Sequence, residues 1–128
     1  MTLPFWCLLA ALLFTLLSKV PMNILGARQQ PYDNHMPRMQ QAGYRGAAHR
    51  AWAAHQNMQE AFAPFAAAVV VSHLGHANEL VATFWCLLFL LARLLYQLFY
   101  LLDRPTLRSL SWGAGWLATV LLFISPLI

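Results

Sequence analysis

The chain has 128 residues, of which 60% are hydrophobic and 9% are charged, and its mean hydropathy is +0.55. A soluble domain of this length cannot bury that much apolar surface in its own core, so the composition excludes a soluble enzyme or binding domain. The net charge of +4 does not indicate nucleic-acid binding, because topology and anionic lipid headgroups account for it.

Four apolar stretches predict four membrane-spanning helices. They cover approximately residues 3–25, 47–74, 79–102 and 107–128. Each approaches or exceeds the roughly 20 residues that cross a bilayer as a helix. We therefore expect an all-α integral membrane protein, a four-helix bundle that forms a single domain over residues 1–128.

The first stretch has the features of a retained span rather than those of a cleaved signal peptide. It has no basic segment at its start and no clean small-x-small cleavage site, and its first charge, Lys19, comes after the apolar run. The connection that follows, residues 26–46, is polar and rich in proline and glycine. This composition predicts a long, turn-rich loop, a type of segment that is often functional.

Positive charges are distributed unevenly among the connections. The first and third connections carry the basic residues Lys19, Arg28, Arg38, Arg45, Arg50, Arg104 and Arg108. The second connection, SHLGHANEL, and both termini carry no lysine or arginine. Because basic connections remain on the cytoplasmic side, this pattern predicts that both termini lie outside.

A polar face leads directly into the second predicted span, in the segment RAWAAHQNMQEAFAPF. Arg50, Asn57 and Glu60 fall at helical spacing, and Glu60 lies at the edge of the apolar run. A carboxylate carried towards hydrocarbon is costly without a partner or a ligand, so it indicates a functional site. Pro64 then predicts a local kink and a backbone carbonyl left free.

A second polar stripe lies on the third predicted helix, where Arg93, Tyr96 and Tyr100 stand at i, i+3 and i+7. The candidate site residues, all on the cytoplasmic half, are Arg50, His55, Asn57, Glu60, Arg93, Tyr96, Tyr100, Arg108 and Ser109. Arginine recognises carboxylates, a glutamate holds an ammonium group, and an asparagine bonds to either. Together these residue types suit a ligand that carries both carboxylates and an ammonium group.

Structural interpretations of the same residues stay open. Asn57 and Glu60 are also suited to an interhelical polar clamp with Arg93 or a tyrosine. Arg50 fits a snorkelling, topology-setting charge, and the tyrosines fit an interfacial aromatic belt. A metal site is not expected, because the neighbouring histidines of the second connection have no third ligand on their loop.

These patterns resemble the helix signatures of the MAPEG family, the membrane-associated proteins of eicosanoid and glutathione metabolism. The second-helix likeness rests on Arg50, Ala54, His55, Asn57, Glu60, Pro64 and Phe65, and the third-helix likeness on Arg93, Tyr96 and Tyr100. Arg108 follows Tyr100 much as an arginine assigned to thiol activation does in glutathione-conjugating members. The likeness covers the whole chain, and the loop segment YDNHMPR is similar to the small bacterial branch.

The resemblance implies a homotrimer in the bacterial inner membrane, with three glutathione sites between adjacent subunits at the cytoplasmic side. It implies that Glu60 takes the amino group of glutathione and that Asn57 and the tyrosines fix its backbone. It further implies that Arg93 and Arg50 bind the two carboxylates of glutathione.

The resemblance also implies a reaction. Arg108, with Ser109 beside it, forms the expected catalytic pair, because a nearby guanidinium lowers the pKa of a thiol and favours the nucleophilic thiolate. His55 is counted among the glutathione-binding residues. Glutathione is the expected co-substrate, no metal is expected, and a lipophilic electrophile is expected to arrive through the lipid bilayer.

Departures from the family pattern keep a second function open. Ala53 stands where many glutathione-using members carry an arginine, and Gln56 occupies another basic position. These departures favour a non-catalytic membrane module that binds a lipid or a partner protein on the same scaffold. A small multidrug exporter is disfavoured, because such antiporters need a carboxylate in the first helix and this chain has none there.

Overall fold

Six α-helices and a terminal 3-10 turn make up the fold. The computed structural model describes all 128 residues. Its elements are α1 (Leu3–Leu17), α2 (Lys19–Ala27), α3 (Pro37–Ala42), α4 (Ala47–Leu74), α5 (Glu79–Leu101), α6 (Pro105–Ile124) and the 3-10 turn Ser125–Leu127. The expectation of an all-α protein is confirmed.

Helices α1 and α2 form one helical segment that is interrupted at Ser18. Pro21 explains the break, since it has no N–H for the carbonyl of Leu17 and its ring crowds that carbonyl. The Ser18 N–H still bonds to the Phe14 oxygen at 2.9 Å, so the segment continues with only a small interruption. The first predicted span is therefore observed as two helices.

Three helical segments are long and apolar enough to cross a membrane. They are Leu3–Ala27, Glu79–Leu101 and Pro105–Leu127, which supports an integral membrane protein. Helix α4 has 28 residues but is less apolar than these three. The polar side chains of its first half are His49, Arg50, His55, Gln56, Asn57, Gln59 and Glu60. The count of four spans is thus not confirmed, and the crossing of α4 stays a prediction.

The four long segments alternate in direction. Phe5 packs against His73, and Ser18 bonds to His55, so α1 and α2 run antiparallel to α4. Helix α5 is antiparallel to α4 as well. Ser125, just after α6, bonds to Ser72 near the end of α4, so α6 runs parallel to α4. The connection 28–46 and the turn 102–104 consequently lie at one end of the bundle, which we call the basic end.

Many of the buried residues are small, and most of the leucine side chains point outwards. Ala11, Ala68 and Ala118 are fully buried, which lets the helix backbones approach closely. Phe65 of α4 and Phe89 of α5 stack at 3.9 Å between ring centroids. The exposed leucines of α1, such as Leu13 and Leu16, give the bundle the apolar exterior that lipid requires.

Side-chain amides fold the connection at the basic end. The Gln29 amide donates to the Arg45 carbonyl at 2.7 Å and accepts from the Arg45 N–H at 3.2 Å. Gln40 donates to the Pro31 carbonyl at 2.7 Å and accepts from the Asp33 N–H at 2.9 Å. The loop predicted from its proline and glycine content therefore contains the short helix α3 and lies folded beside the start of α4.

Candidate functional site

Arg93 is the most deeply buried charged side chain of the protein, with 2% of its surface exposed. Its terminal nitrogen donates to Asn57 Oδ1 at 2.8 Å, and its guanidinium carbon lies 4.3 Å from the centre of the Tyr96 ring. Both partners are formally neutral. A buried cation with only neutral partners is costly, so this position favours an additional anion.

Asn57 connects this arginine to the only carboxylate of α4. Its Nδ2 donates to Glu60 Oε2 at 3.2 Å, and Glu60 itself is exposed. Pro64 lies four residues after Glu60 and has no N–H, so the backbone carbonyl of Glu60 lacks its usual helical donor. Glu60 thus presents two acceptors, an exposed carboxylate and a backbone carbonyl without its helical donor.

Aromatic contacts continue from Arg93 towards α6. The rings of Tyr96 and Tyr100 meet edge to face at 5.6 Å, and the guanidinium carbon of Arg108 lies 4.7 Å from the Tyr100 ring. A terminal nitrogen of Arg108 also reaches Ser109 Oγ at 3.4 Å. Stacking of a guanidinium on a ring orients it while leaving its N–H groups free to bind an acceptor.

The structure therefore brings most of the predicted site residues into one continuous chain of contacts across α4, α5 and α6. That chain, which we call the polar chain, consists of Glu60, Asn57, Arg93, Tyr96, Tyr100, Arg108 and Ser109. It lies in the half of the bundle nearest the basic end. Arg50 and His55 form no hydrogen bond with its members.

Arg50 lies two helical turns before Asn57, on the same side of α4. It is half-buried, and its Nε is buried without a hydrogen-bond partner. The spacing of seven residues places it about 10 Å from Asn57 along the helix axis. Arg50 therefore extends the face that carries Asn57 towards the basic end.

His55 lies on another side of α4, away from the polar chain. Its Nδ1 is 2.8 Å from the Ser18 hydroxyl, at the break between α1 and α2. It lines a separate polar cleft of about 650 Å³ whose cationic members are Lys19 and Arg38. Residues two apart on a helix point in different directions, so Asn57 and His55 do not share a face.

Four of the five buried side-chain nitrogens that lack a hydrogen-bond partner lie near the polar chain. They are Arg50 Nε, Arg93 Nε, Gln97 Nε2 and Arg108 Nε. Buried donors without acceptors are uncommon in folded proteins and each costs about 1–3 kcal/mol. This region therefore has more donors than the protein supplies acceptors for, which is the electrostatic character of a site for an anionic ligand.

Gln97 is the one member of this group that the sequence did not single out as a site residue. It follows Arg93 by four residues on α5, and 8% of its surface is exposed. The i, i+4 spacing could have identified Gln97 as a site residue, because it places the amide on the same face of α5 as Arg93.

No three His, Cys, Asp or Glu side chains are grouped so that they could hold a metal ion. The chemistry of the site is that of guanidinium groups, amides, phenols and one carboxylate. Such groups bind and orient an organic ligand with carboxylate and ammonium groups, and they stabilise negative charge that develops on it.

Comparison with known proteins identifies the fold family. The sequence model of the MAPEG family matches residues 3–128, which is nearly the whole chain. No curated protein and no solved structure gives a significant match. The match agrees with the three apolar helices and with the resemblance seen in α4 and α5, and the chain belongs to the MAPEG family.

Proposed function

We propose that the protein is a membrane-bound glutathione-dependent transferase or peroxidase that acts on lipophilic electrophiles. Membership in the MAPEG family supports a membrane role in glutathione or lipid metabolism, since the family includes glutathione transferases and related enzymes. The observation that carries the specific proposal is the group of buried, unpartnered N–H donors beside the exposed carboxylate of Glu60. Glutathione has two carboxylates and one ammonium group, which complement that arrangement.

The polar chain and Arg50 together supply a partner for each charged part of glutathione. The ammonium group bonds to the Glu60 carboxylate and to the free carbonyl oxygen of the same residue. Asn57 lies between Glu60 and Arg93 and bonds to the peptide backbone of the ligand, as do the tyrosine hydroxyls. The guanidinium groups of Arg93 and Arg50 have free N–H donors for the carboxylates.

Arg108 is the residue that activates the thiol. Its guanidinium stacks on Tyr100 and has an unpartnered Nε, so it is oriented and free to bind an anion. A guanidinium beside the sulfur favours the thiolate, and the thiol proton leaves to water. The thiolate then attacks the electrophilic carbon of a lipophilic substrate and forms a carbon–sulfur bond, while the bond from that carbon to its leaving group breaks and the group departs as an anion with the electron pair. Ser109 accepts a hydrogen bond from Arg108 and helps to fix its direction.

We infer that the protein works as a homotrimer whose four long helical segments cross a bacterial inner membrane. Helix α4 begins in the headgroup region and enters hydrocarbon after Glu60, which accounts for the polar side chains of its first half. The basic end then faces the cytoplasm and both termini lie outside. In this arrangement glutathione enters from the cytoplasm, and the apolar substrate enters from the lipid.

Thiolate formation tests the enzymatic function. Purified protein in detergent is titrated with glutathione, and the ultraviolet absorbance of the thiolate is recorded for the wild type and for Arg108→Ala. We expect saturable thiolate formation by the wild type and a large loss of it in the variant. If the variant still forms thiolate, Arg108 does not activate the thiol, whereas the absence of both thiolate and glutathione binding in the wild type rules out the enzyme.

The second candidate function is a non-catalytic module of the same fold that binds a lipid or a partner protein. Ala53 favours it, because the side chain at this position of α4 is a methyl group where many glutathione-using members have an arginine. The thiolate titration separates the two functions, since a non-catalytic module forms no thiolate.

A further inference from the structure

Gln97 is a buried amide with no hydrogen-bond partner for its side-chain nitrogen. Its Nε2 is buried, and 8% of the residue is exposed. Leucine has a similar size and would fill the same space without the cost of an unpaired amide. A glutamine that is unfavourable in the empty protein points to an acceptor that arrives with a ligand.

The neighbours of Gln97 on α4 offer no acceptor. Arg93, four residues earlier on α5, bonds to Asn57, while Leu101, four residues later, packs against the buried cluster that contains Ala51. Gln97 therefore lies between the level of Asn57 and the level of that cluster, which consists of Met22, Tyr44, Ala48 and Ala51. On the face of α4 that carries Asn57, the side chains at that level are the methyl groups of Ala53 and Ala54, and the backbone carbonyls there bond within the helix.

Gln97 and Glu60 lie on opposite sides of the Arg93–Asn57 hydrogen bond along the bundle axis. Glu60 is three residues beyond Asn57, away from the basic end, and Gln97 is four residues beyond Arg93, towards it. At 1.5 Å per residue these offsets add up to about 10 Å. The ammonium group and the α-carboxylate of a γ-glutamyl group are attached to the same carbon. When the ammonium group is bound at Glu60, the α-carboxylate therefore lies near Glu60 and does not reach Gln97.

We propose that Gln97 is a specificity residue that donates a hydrogen bond to the glycine carboxylate of glutathione, opposite the ammonium site at Glu60. This inference rests on the proposed function and extends it to one end of the ligand. Arg50 supplies the cationic partner, because its unpartnered Nε lies on the same face of α4, one turn beyond Ala53. The side-chain amide of Gln97 thus donates to the carboxylate in place of the arginine that is absent at Ala53.

The test compares ligands that differ only at the glycine end. Binding of glutathione, of glutathione amidated at its glycine carboxylate and of γ-glutamylcysteine is measured by calorimetry on the intact protein in lipid nanodiscs. The variant is Gln97→Leu, and Gln30→Leu is the matched control at an exposed glutamine of the connection. Thermal unfolding of the ligand-free proteins is measured in parallel.

We expect Gln97→Leu to weaken glutathione binding about tenfold or more, the usual effect of losing a hydrogen bond to a charged group. Binding of γ-glutamylcysteine should not change, and Gln30→Leu should bind all ligands as the wild type does. The Tm of ligand-free Gln97→Leu should stay the same or rise, because the variant removes a buried donor without an acceptor. A purely structural glutamine would instead lower the Tm.

Two results would overturn this inference while leaving the proposed function intact. One is unchanged glutathione affinity in Gln97→Leu, and the other is an equal loss of affinity for glutathione and γ-glutamylcysteine. A wild type that binds none of the three ligands would contradict the proposed function itself and this inference with it.

Discussion

At the scale of single residues, the charge of Arg93 is the central feature. Its hydrogen-bond acceptor is the neutral amide of Asn57, and its Nε has no partner. An interhelical clamp would stabilise the empty protein, whereas a ligand site need not, because its donors are satisfied only on binding. The two interpretations of this contact therefore differ in what they predict for stability.

Truncating each side of the Arg93–Asn57 contact separates these interpretations. Asn57→Leu leaves a buried guanidinium without its acceptor and should reduce the free energy of unfolding by about 1–3 kcal/mol. Arg93→Met removes a buried charge and should leave the stability unchanged or raise it. The double variant should recover the stability that Asn57→Leu loses. Denaturation of the ligand-free proteins in detergent measures all three.

Glutathione binding provides the control for that series. All three variants should bind glutathione at least about tenfold more weakly than the wild type, because each removes a proposed ligand contact. If Arg93→Met lost as much stability as Asn57→Leu, the contact would be a clamp between α4 and α5.

At the scale of helices, spacing predicted much of the site. The i, i+3 and i+7 pattern of Arg93, Tyr96 and Tyr100 indicated one face of a helix, and the structure places these side chains along the polar chain. Spacing within one helix does not show which neighbouring helix each face contacts. The bond of His55 to Ser18 depends on how α1 and α2 pack against α4, and the sequence gives no measure of that packing.

The interruption after α1 shows a similar difference between pattern and structure. Pro21 lies at the inner end of the first predicted span. Its effect on the carbonyl of Leu17 divides that span into two helices at Ser18. Because the Ser18 hydroxyl bonds to His55, the break also provides a polar contact to α4. The sequence shows the proline, but it does not show that Ser18 contacts His55 of α4.

Close packing of the C-terminal turn against the end of α4 leads to a second prediction. A Cβ atom at Gly75 would lie 2.5 Å from Cγ of Pro126, and the adjacent Ser125 hydroxyl donates to Ser72 at 3.1 Å. Gly75→Ala should therefore displace the 3-10 turn and destabilise the protein by about 1–3 kcal/mol. Thermal unfolding measures this loss.

A glycine in open space serves as the control. No atom lies within 4 Å of a Cβ atom at Gly113 in α6, so Gly113→Ala should not lower the Tm of the protomer. Adding Pro126→Gly to Gly75→Ala removes the colliding ring and should recover part of the lost stability. Equal Tm values for Gly75→Ala and the wild type would show that the turn moves aside freely.

At the scale of the whole molecule, charge and apolar surface are unevenly distributed along the bundle. The exposed surface of α1, α5 and α6 is rich in large aliphatic side chains, and all eight lysine and arginine residues lie in the half nearest the basic end. The opposite end carries the acidic Glu79 and no lysine or arginine. The predicted orientation rests on this distribution.

Cysteine labelling measures that orientation directly. In a background in which both buried cysteines are replaced by alanine, Asn34→Cys marks the basic end and His76→Cys the opposite end, and both positions are exposed. A membrane-impermeant maleimide added to spheroplasts should label His76→Cys at once and Asn34→Cys only after lysis. The reverse pattern would contradict the assignment of the termini to the outside.

The unpartnered donors near the polar chain also make the stability of the folded protein depend on the concentration of its ligand. Because Arg93, Gln97 and Arg108 lack acceptors in the empty state, a ligand that satisfies them adds its binding free energy to the stability of the fold. A ligand at a hundred times its dissociation constant adds about 2.7 kcal/mol, which is a large part of the stability of an ordinary domain. With glutathione as the proposed ligand, the amount of folded protein in a cell should therefore rise and fall with the glutathione concentration, and proteolysis should remove the molecules that have no ligand.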